Sequence, residues 1–436
     1  MSAATSSFVG RTVWLLHQFR KKIWVRASLF SVAAVLVAIL SAVVGPYIPY
    51  DPGLTLASGS VDHILNILAS SMLAVTTFSL SIMVSAYSSA TSHVTPRSTK
   101  LLIADRVAQN TLATFVGSFL FSIVGIIGLA AGLYNDRGRI ILFGATLVVI
   151  FLITATLLRW IEQLGKFGRV GDTILRVERA TLPAFTNAGL TPRLGASPPV
   201  TLPDDATSIL STKSGMIQHI DVSKMNGLAE KHGTRIFLDA MPGALVHPAR
   251  TLFYVAGLLD YDDVSELREC ISIGHDREYE QDPRFGLIVL SEIASRALSP
   301  AVNDPGTAIE VLASGFRVLL SYAGAVDESE EPRFCFVHAP NLEIAELFAS
   351  FFNPIARDGA NVLEVQMRLI KILEALALRF PDLYLGAAVE NATHVLERCT
   401  VSKMVGHEKE EITKRVRLMS DHLSRHIMDA SAMPGN

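Results

Sequence analysis

Charge is scarce in this chain. Half of its 436 residues are hydrophobic and only 18% are Asp, Glu, Lys or Arg, against roughly 25% in soluble domains. Mean hydropathy is +0.38, and the balance argues for a membrane protein over an ordinary soluble one. An excess of one sign is also lacking. The formal net charge of −3 offers no basic surplus for nucleic acid, so no such partner is expected. Cysteine is nearly absent: Cys270, Cys335 and Cys399 stand far apart, with no CxxC or Cys/His spacing. That argues against a disulfide framework and a zinc site and leaves free thiols in a reducing compartment. There is no Walker loop, no GxGxxG after a strand, no HExxH and no GxSxG elbow. No catalytic residue, metal or cofactor is therefore expected, and the chain does not read as an enzyme.

Long apolar runs, by contrast, are plentiful. Ala27–Val44, Ile64–Ser88, Thr111–Tyr134 and Ile140–Leu158 each approach the roughly 20 residues that a spanning helix needs. The first exceeds the apolar core of a signal peptide, about 7–15 residues, and lacks a small-x-small cleavage site, so it reads as a retained span. Arg11, Arg20, Lys21, Lys22 and Arg26 precede it, and Arg97, Lys100 and Arg106 lie between the second and third spans. The first outer loop, Gly45–Asp62, has no Lys or Arg. The positive-inside rule then places both termini in the cytoplasm. Trp14, Trp24 and Trp160 fall at the inner boundary and Tyr47, Tyr50 and Tyr134 at the outer one. The stretch Val13–Val25 mixes large apolar and basic residues like an interfacial amphipathic helix.

After Leu158 hydropathy drops. A helix continues from Arg159, and a proline-rich connector puts a domain boundary near Pro183–Pro203. Between Ser211 and Gly257, "SGMIQHID", "TRIFLDA" and "TLFYVAG" read as short strands. Here "MPGALVHPARTLFYV" resembles the turn-and-strand pattern of biotinyl/lipoyl-like modules; the modified lysine is absent, so its role would be structural. From Asp262 on the apolar spacing is helical. The expected organisation is an amphipathic segment (1–26), a four-helix membrane domain (27–160), a helix and connector (161–205), a small β module (206–260) and a helical domain (261–436). The fold class is thus an α-helical membrane protein with four transmembrane helices plus a cytoplasmic α+β domain.

Three stretches carry a resemblance: "TPRS" after the second span, "IADRVAQNTLATFVGSFLFSIVGI", and "IGHDREYEQDPRFGLIVLSEIASRALSPAVNDPGTAIEVL". In these the chain resembles a bacterial family of predicted membrane proteins of unknown function, DUF2254. The resemblance implies a multi-span inner-membrane protein with a cytoplasmic domain, and it implies no activity.

Two features remain as candidate sites. The first is a charged block of His275, Asp276, Arg277, Glu280, Gln281 and Asp282 beside an apolar helix. With Arg296 and the Asn303–Asp304 turn it reads either as an ion-pair network or as a ligand site. Asp304 also reads as a helix cap, followed by Pro305 at the first helical position. The second is the second span, which carries eleven Ser and Thr from Asn66 to His93 and no charge. At 100° per residue Ser70, Thr77, Ser81, Ser85 and Ser88 share one face, with Leu68, Met72, Val75, Ile82, Met83 and Ala86 broadly opposite. Such a stripe packs helices or lines a wet path. In the third span Gly128 and Gly132, with Gly117 and Gly125, read as helix-packing positions. No ionisable residue lies at mid-membrane in any span, which argues against a proton-coupled transporter. The leading expectation is an oligomeric channel or pore-like transport protein, lined by the second span and gated by the cytoplasmic domain. Its partners would be the bilayer, further copies of itself, and an ion or small molecule. The alternative is a membrane-anchored signalling or scaffold protein.

Overall fold

The computed structural model describes Trp14 and residues 23–44, 59–166, 168–257, 259–327 and 330–432. They divide into two compact units. The apolar unit holds α1 (Ile23–Val44), α2 (Ser60–His93), α3 (Pro96–Ile103), α4 (Arg106–Ala130) and α5 (Asp136–Leu164). The mixed unit takes in Trp14, the short segment His93–Arg97 and the chain from Thr173 on.

Four helices of the apolar unit are long and apolar enough to cross a membrane: Val25–Val44, Ser60–Ser89, Arg106–Ala130 and Asp136–Leu164. They overlie the four sequence-predicted spans. Polar caps set two of their starts: the carboxylate of Asp105 accepts from the Ala108 N–H, and the side chain of Asn135 from the Gly138 N–H. The most buried of the four is α4. A Cβ on its Gly117 would stand 3.2 Å from the Phe30 carbonyl oxygen of α1, and one on Gly125 3.0 Å from a Leu65 methyl of α2. Small residues admit this close approach. Gly132 behaves otherwise: at φ +71° with open space around it, it is a left-handed turn residue just past α4, where glycine is favoured, not a packing position. Tyr134 and Trp160 are buried in apolar clusters of this unit. The Tyr134 hydroxyl donates to the Ala38 carbonyl of α1 at 2.9 Å.

From Thr173 on, α6 (Val170–Leu190) belongs to the mixed unit, and it continues through Pro183. The connector is therefore shorter than the prolines suggest, because the buried face of Thr173, Val177, Thr181 and Phe185 keeps the helix going. Two sheets follow. One has five strands in the order β1 (Ala196–Ser197), β8 (Phe334–His338), β4 (Ile236–Leu238), β6 (Thr251–Ala256), β2 (Ala206–Leu210); β8 is parallel to both of its neighbours. The other is antiparallel, β5 (Leu245–Val246), β3 (Gly215–Ile220), β7 (Ile271–Gly274). The three expected strands are β3, β4 and β6. The helix α7 (Val222–Lys231) interrupts them, capped by Asp221 and burying Val222, Met225 and Ala229. Strands β7 and β8 come from the region whose spacing reads as helical, so residues 206–260 supply three paired strands of the first sheet and two of the second, and each sheet is completed from outside them.

The remaining helices are α8 (Tyr261–Glu269), α9 (Pro283–Ala297), α10 (Pro305–Ala323), α11 (Ile344–Asp358), α12 (Leu363–Arg379), α13 (Pro381–Val401) and α14 (Gly406–Ala432). Phe348, Phe351, Phe352 and Tyr384 form their aromatic centre, and the Tyr384 hydroxyl donates to the Leu319 carbonyl at 2.7 Å. Trp14 is buried too, stacked on His219 with ring centroids 5.2 Å apart. The rest of the amphipathic stretch up to residue 22 lies outside the described residues.

A buried carboxylate joins α6 to α10. Glu178 accepts two N–H groups of Arg317, at 2.7 and 2.6 Å, and the Ser314 hydroxyl. Burial pushes its carboxyl up, but the hydrogen bonds and charge of Arg317 and the bond from Ser314 outweigh this and hold it below the usual carboxylate range. A depressed native pKa gives stability that is present above the unfolded value, about 4.3, and lost as pH falls through the native one. Acidification should therefore weaken amide protection across α6 and α10. Arg317→Met should start less protected at pH 7 and fall less on acidification, which hydrogen exchange against pH measures.

Candidate functional site

The hydroxyl-rich helix α2 presents two unlike faces. Met72 and Met83, with Leu68, Val75 and Ala86 beside them, pack against Phe115, Ile153 and Trp160 of α4 and α5. Ser79 is buried and Thr76 half-buried, while Ser70, Thr77, Ser81, Ser85 and Ser88 are all exposed. Helical spacing places Ile67 and Phe78 on one flank of these hydroxyls and Leu73, Leu80 and Val84 on the other; all five are exposed as well. The outer face of α2 is thus a polar stripe between two apolar margins. Two of its hydroxyls bond back to the helix: Ser70 Oγ donates to the Asn66 carbonyl at 3.0 Å and Thr77 Oγ1 to the Ala74 carbonyl at 2.9 Å. Back-bonding of this kind makes a hydroxyl tolerable in an apolar helix and leaves its oxygen free to accept a further hydrogen bond.

The charged block falls into separate groups. Arg277 grips Asp282 with two parallel hydrogen bonds, Nε to Oδ2 at 2.6 Å and Nη2 to Oδ1 at 2.8 Å. The Asp282 side chain is 3% exposed and also caps α9 by accepting from the Phe285 N–H. The guanidinium of Arg277 lies 5.3 Å from the centroid of the Phe285 ring. Gln281 straps the end of β3, accepting from the Ile220 N–H at 2.8 Å. The turn after Pro242 packs so closely that a Cβ on Gly243, itself at φ +89°, would stand 2.2 Å from Asp282 Oδ2. His275 and Asp276 are exposed. The Asp276 carbonyl accepts from Gln218 of β3, and Glu280 is half-buried.

Arg296, Asn303 and Asp304 belong elsewhere. Arg296 is exposed in the last turn of α9, a helix length of roughly 20 Å from the Asp282 cap. Asp304 caps α10, accepting from the Thr307 N–H at 3.1 Å and its hydroxyl at 2.6 Å. Asn303 takes the left-handed φ of +52° that leads into it. Among the described residues no three His, Cys, Asp or Glu side chains stand together as a metal site. One interaction has no counterpart in the sequence reading. Glu292 of α9 accepts from the Thr95 hydroxyl at 2.9 Å and from Arg97 Nη1 at 2.6 Å.

Residues 20–375 match the profile of a family described as predicted membrane protein (DUF2254). The chain is similar to the uncharacterized proteins Mb1321c of Mycobacterium bovis and Rv1290c of Mycobacterium tuberculosis. Each is 26% identical over 331 residues, covering 71% of this chain and 62% of the relative. The chain thus spans less than two thirds of the length of these relatives. No solved structure matches it.

Proposed function

The chain belongs to the DUF2254 family of predicted membrane proteins, and from that premise we propose that it is a multi-pass membrane protein whose copies assemble around a water-filled path lined by α2. The observation that carries the reading is the exposure of Ser70, Thr77, Ser81, Ser85 and Ser88 while the apolar face of the same helix is packed away. One chain has a single polar stripe and cannot enclose a path, so a closed ring of copies is needed. In such a ring the apolar margins, Leu73, Leu80 and Val84 against Ile67 and Phe78, would seat neighbouring copies while the hydroxyls face the axis. Small uncharged hydroxyls keep a path wet, and its width decides whether it dewets and closes. The permeant species is then an ion or small polar solute.

Conductance of the full chain in planar bilayers tests this. Ser81→Leu and Ser85→Leu should lose most of it with assembly intact, while Met72→Leu and Met83→Leu on the packed face should stay near the parent. Cysteines at 77, 81 and 85 should react with a membrane-impermeant thiol reagent, and cysteines at 75, 82 and 83 should not. Applied to whole cells, the same reagent should leave Ser431→Cys unlabelled, as a cytoplasmic C-terminus requires. Uniform protection of all six span positions with no measurable flux would remove the path and leave the hydroxyls as packing groups.

A further inference from the structure

Among the described residues, most strands that end a sheet are short or covered. Strands β1 and β5 have two residues each, and β7 begins with the buried pair Ile271 and Ser272. Strand β2 differs. It ends the five-stranded sheet with five residues, "ATSIL", and carries no charge or proline of the kind that guards an edge. Thr207, Ser208 and Leu210 are exposed.

The register shows which of its backbone groups face outward. In an antiparallel pair the backbone groups of successive residues turn to opposite sides of the strand. The Ala256 N–H donates to the Arg235 carbonyl, just before β4, so Ala256 and Tyr254 turn to β4 while Val255 and Phe253 turn to β2. The partners of Val255 and Phe253 are Thr207 and Ile209. Ala206 and Ser208 therefore turn outward. Past the register shift the Ser211 N–H donates to the Arg250 carbonyl, which turns Leu210 outward as well. Two outward groups are already occupied: the Ala206 N–H donates to the Pro203 carbonyl at 3.0 Å, and the Leu210 carbonyl accepts from Arg268 Nε at 3.1 Å. The Ala206 carbonyl, the Ser208 N–H and carbonyl, and the Leu210 N–H are open to a partner strand.

We propose that this edge pairs antiparallel with β2 of a second copy, about a two-fold axis at Ser208. The open groups are self-complementary under that axis. Each Ser208 donates to and accepts from Ser208 of the other copy, and each Leu210 N–H donates to the Ala206 carbonyl of the other copy. The occupied groups, the Ala206 N–H and the Leu210 carbonyl, fall opposite one another, so the contact asks neither for a new partner. Charge agrees with this direction. Asp204 and Asp205 precede the strand, while Lys213 and Arg268 stand at its other end. Antiparallel pairing sets the acidic end of each copy beside the basic end of the other, and a parallel pair would set like beside like. The contact is isologous and joins copies in twos. It does not depend on α2 lining a path.

The test uses membrane vesicles containing the full chain, with Cys270, Cys335 and Cys399 replaced by Ser. Under a mild oxidant Ser208→Cys should form disulfide-linked pairs about tenfold faster than Thr207→Cys or Thr212→Cys. Residues 208 lie directly opposite on one face, within disulfide reach, whereas residues 207 stand about 8 Å apart and residues 212 much farther. A second readout is amide exchange at Leu210, which pairing should slow about tenfold or more. Ser208→Lys or Ser208→Glu alone sets like charges opposite each other and should abolish that slowing, and copies of the two variants made together should restore it. Residue 208 is exposed, so neither change disturbs the core. Linking at 208 no faster than at 212 would overturn the pairing. Slow exchange at Leu210 that survives in Ser208→Lys would also overturn it, since another occupant would then cover the edge. Linked pairs in a protein without conductance would support the pairing and remove only the path.

Discussion

Arg277→Met should lower the stability of the mixed unit by about 3–5 kcal/mol, the range for breaking a buried ion pair by removing one partner. Asp282 is where that cost arises. Its side chain is 3% exposed, and burial pushes its carboxyl up against the hydrogen bonds and charge that Arg277 supplies. Without the guanidinium the carboxyl must stay charged and unpaired or take up a proton and weaken its cap on α9. The turn at Gly243 is packed against both partners, so the gap cannot close by backbone movement alone. Urea titration followed by amide exchange across β7 and α9 measures the loss. The double variant Arg277→Met with Asp282→Asn should lose less than the two single losses added, since each single strands a partner and the double strands none. A loss under about 1 kcal/mol would place the pair among exposed ion pairs.

Gly286→Ala should be nearly as damaging although it adds one carbon. A Cβ at residue 286 would stand 1.9 Å from Thr181 Oγ1, 2.4 Å from its Cγ2 and 2.6 Å from its Cβ. A long side chain can swing aside, but Thr181 has a short one. It is β-branched, 1% exposed, and donates to the Val177 carbonyl at 2.7 Å. The helices α6 and α9 would have to separate, and overpacking of this kind costs about 1–3 kcal/mol or more. Thr181→Ala should restore part of the loss in the double variant. Thermal unfolding of the three variants decides it: a single variant as stable as the parent, or a double no better than the single, would show that the crossing is loose.

The long apolar helices were legible because a bilayer imposes one demand, enough consecutive apolar residues, and sequence displays it directly. Three of the short strands were legible from their β-branched and aromatic runs. What escaped had misleading neighbours or partners distant in the chain. Strand β8 is five residues, "FCFVH", flanked by β1 and β4; its aromatic and β-branched run is a local strand signal, masked by the helical spacing of the segments on either side. Pro183 reads as a break, and buried neighbours carry α6 through it. In the charged block, Asp282 and Arg277 are close in sequence and meet, whereas Arg296 is excluded by the rise of α9, which a count of residues would have revealed. Glu292 gave no signal, since an acidic residue on an amphipathic helix looks like solvated surface until Thr95 and Arg97 are seen beside it. The stripe on α2 was visible from its period alone; its exposure required the other helices.

The placement of β8 between β1 and β4 bears on biosynthesis. Ala196 pairs with Phe334 and Ile236 with Val337, so the five-stranded sheet stays incomplete until the ribosome has made residue 338. Closing such sequence-distant pairings is slow. By then all four apolar helices have been made, and the nascent chain is tethered while β4 and the short β1 still have open edges. Such edges invite pairing between neighbouring chains. Slowing elongation between residues 256 and 334 should therefore raise the yield of aggregated, membrane-associated product more than the same delay placed after residue 338.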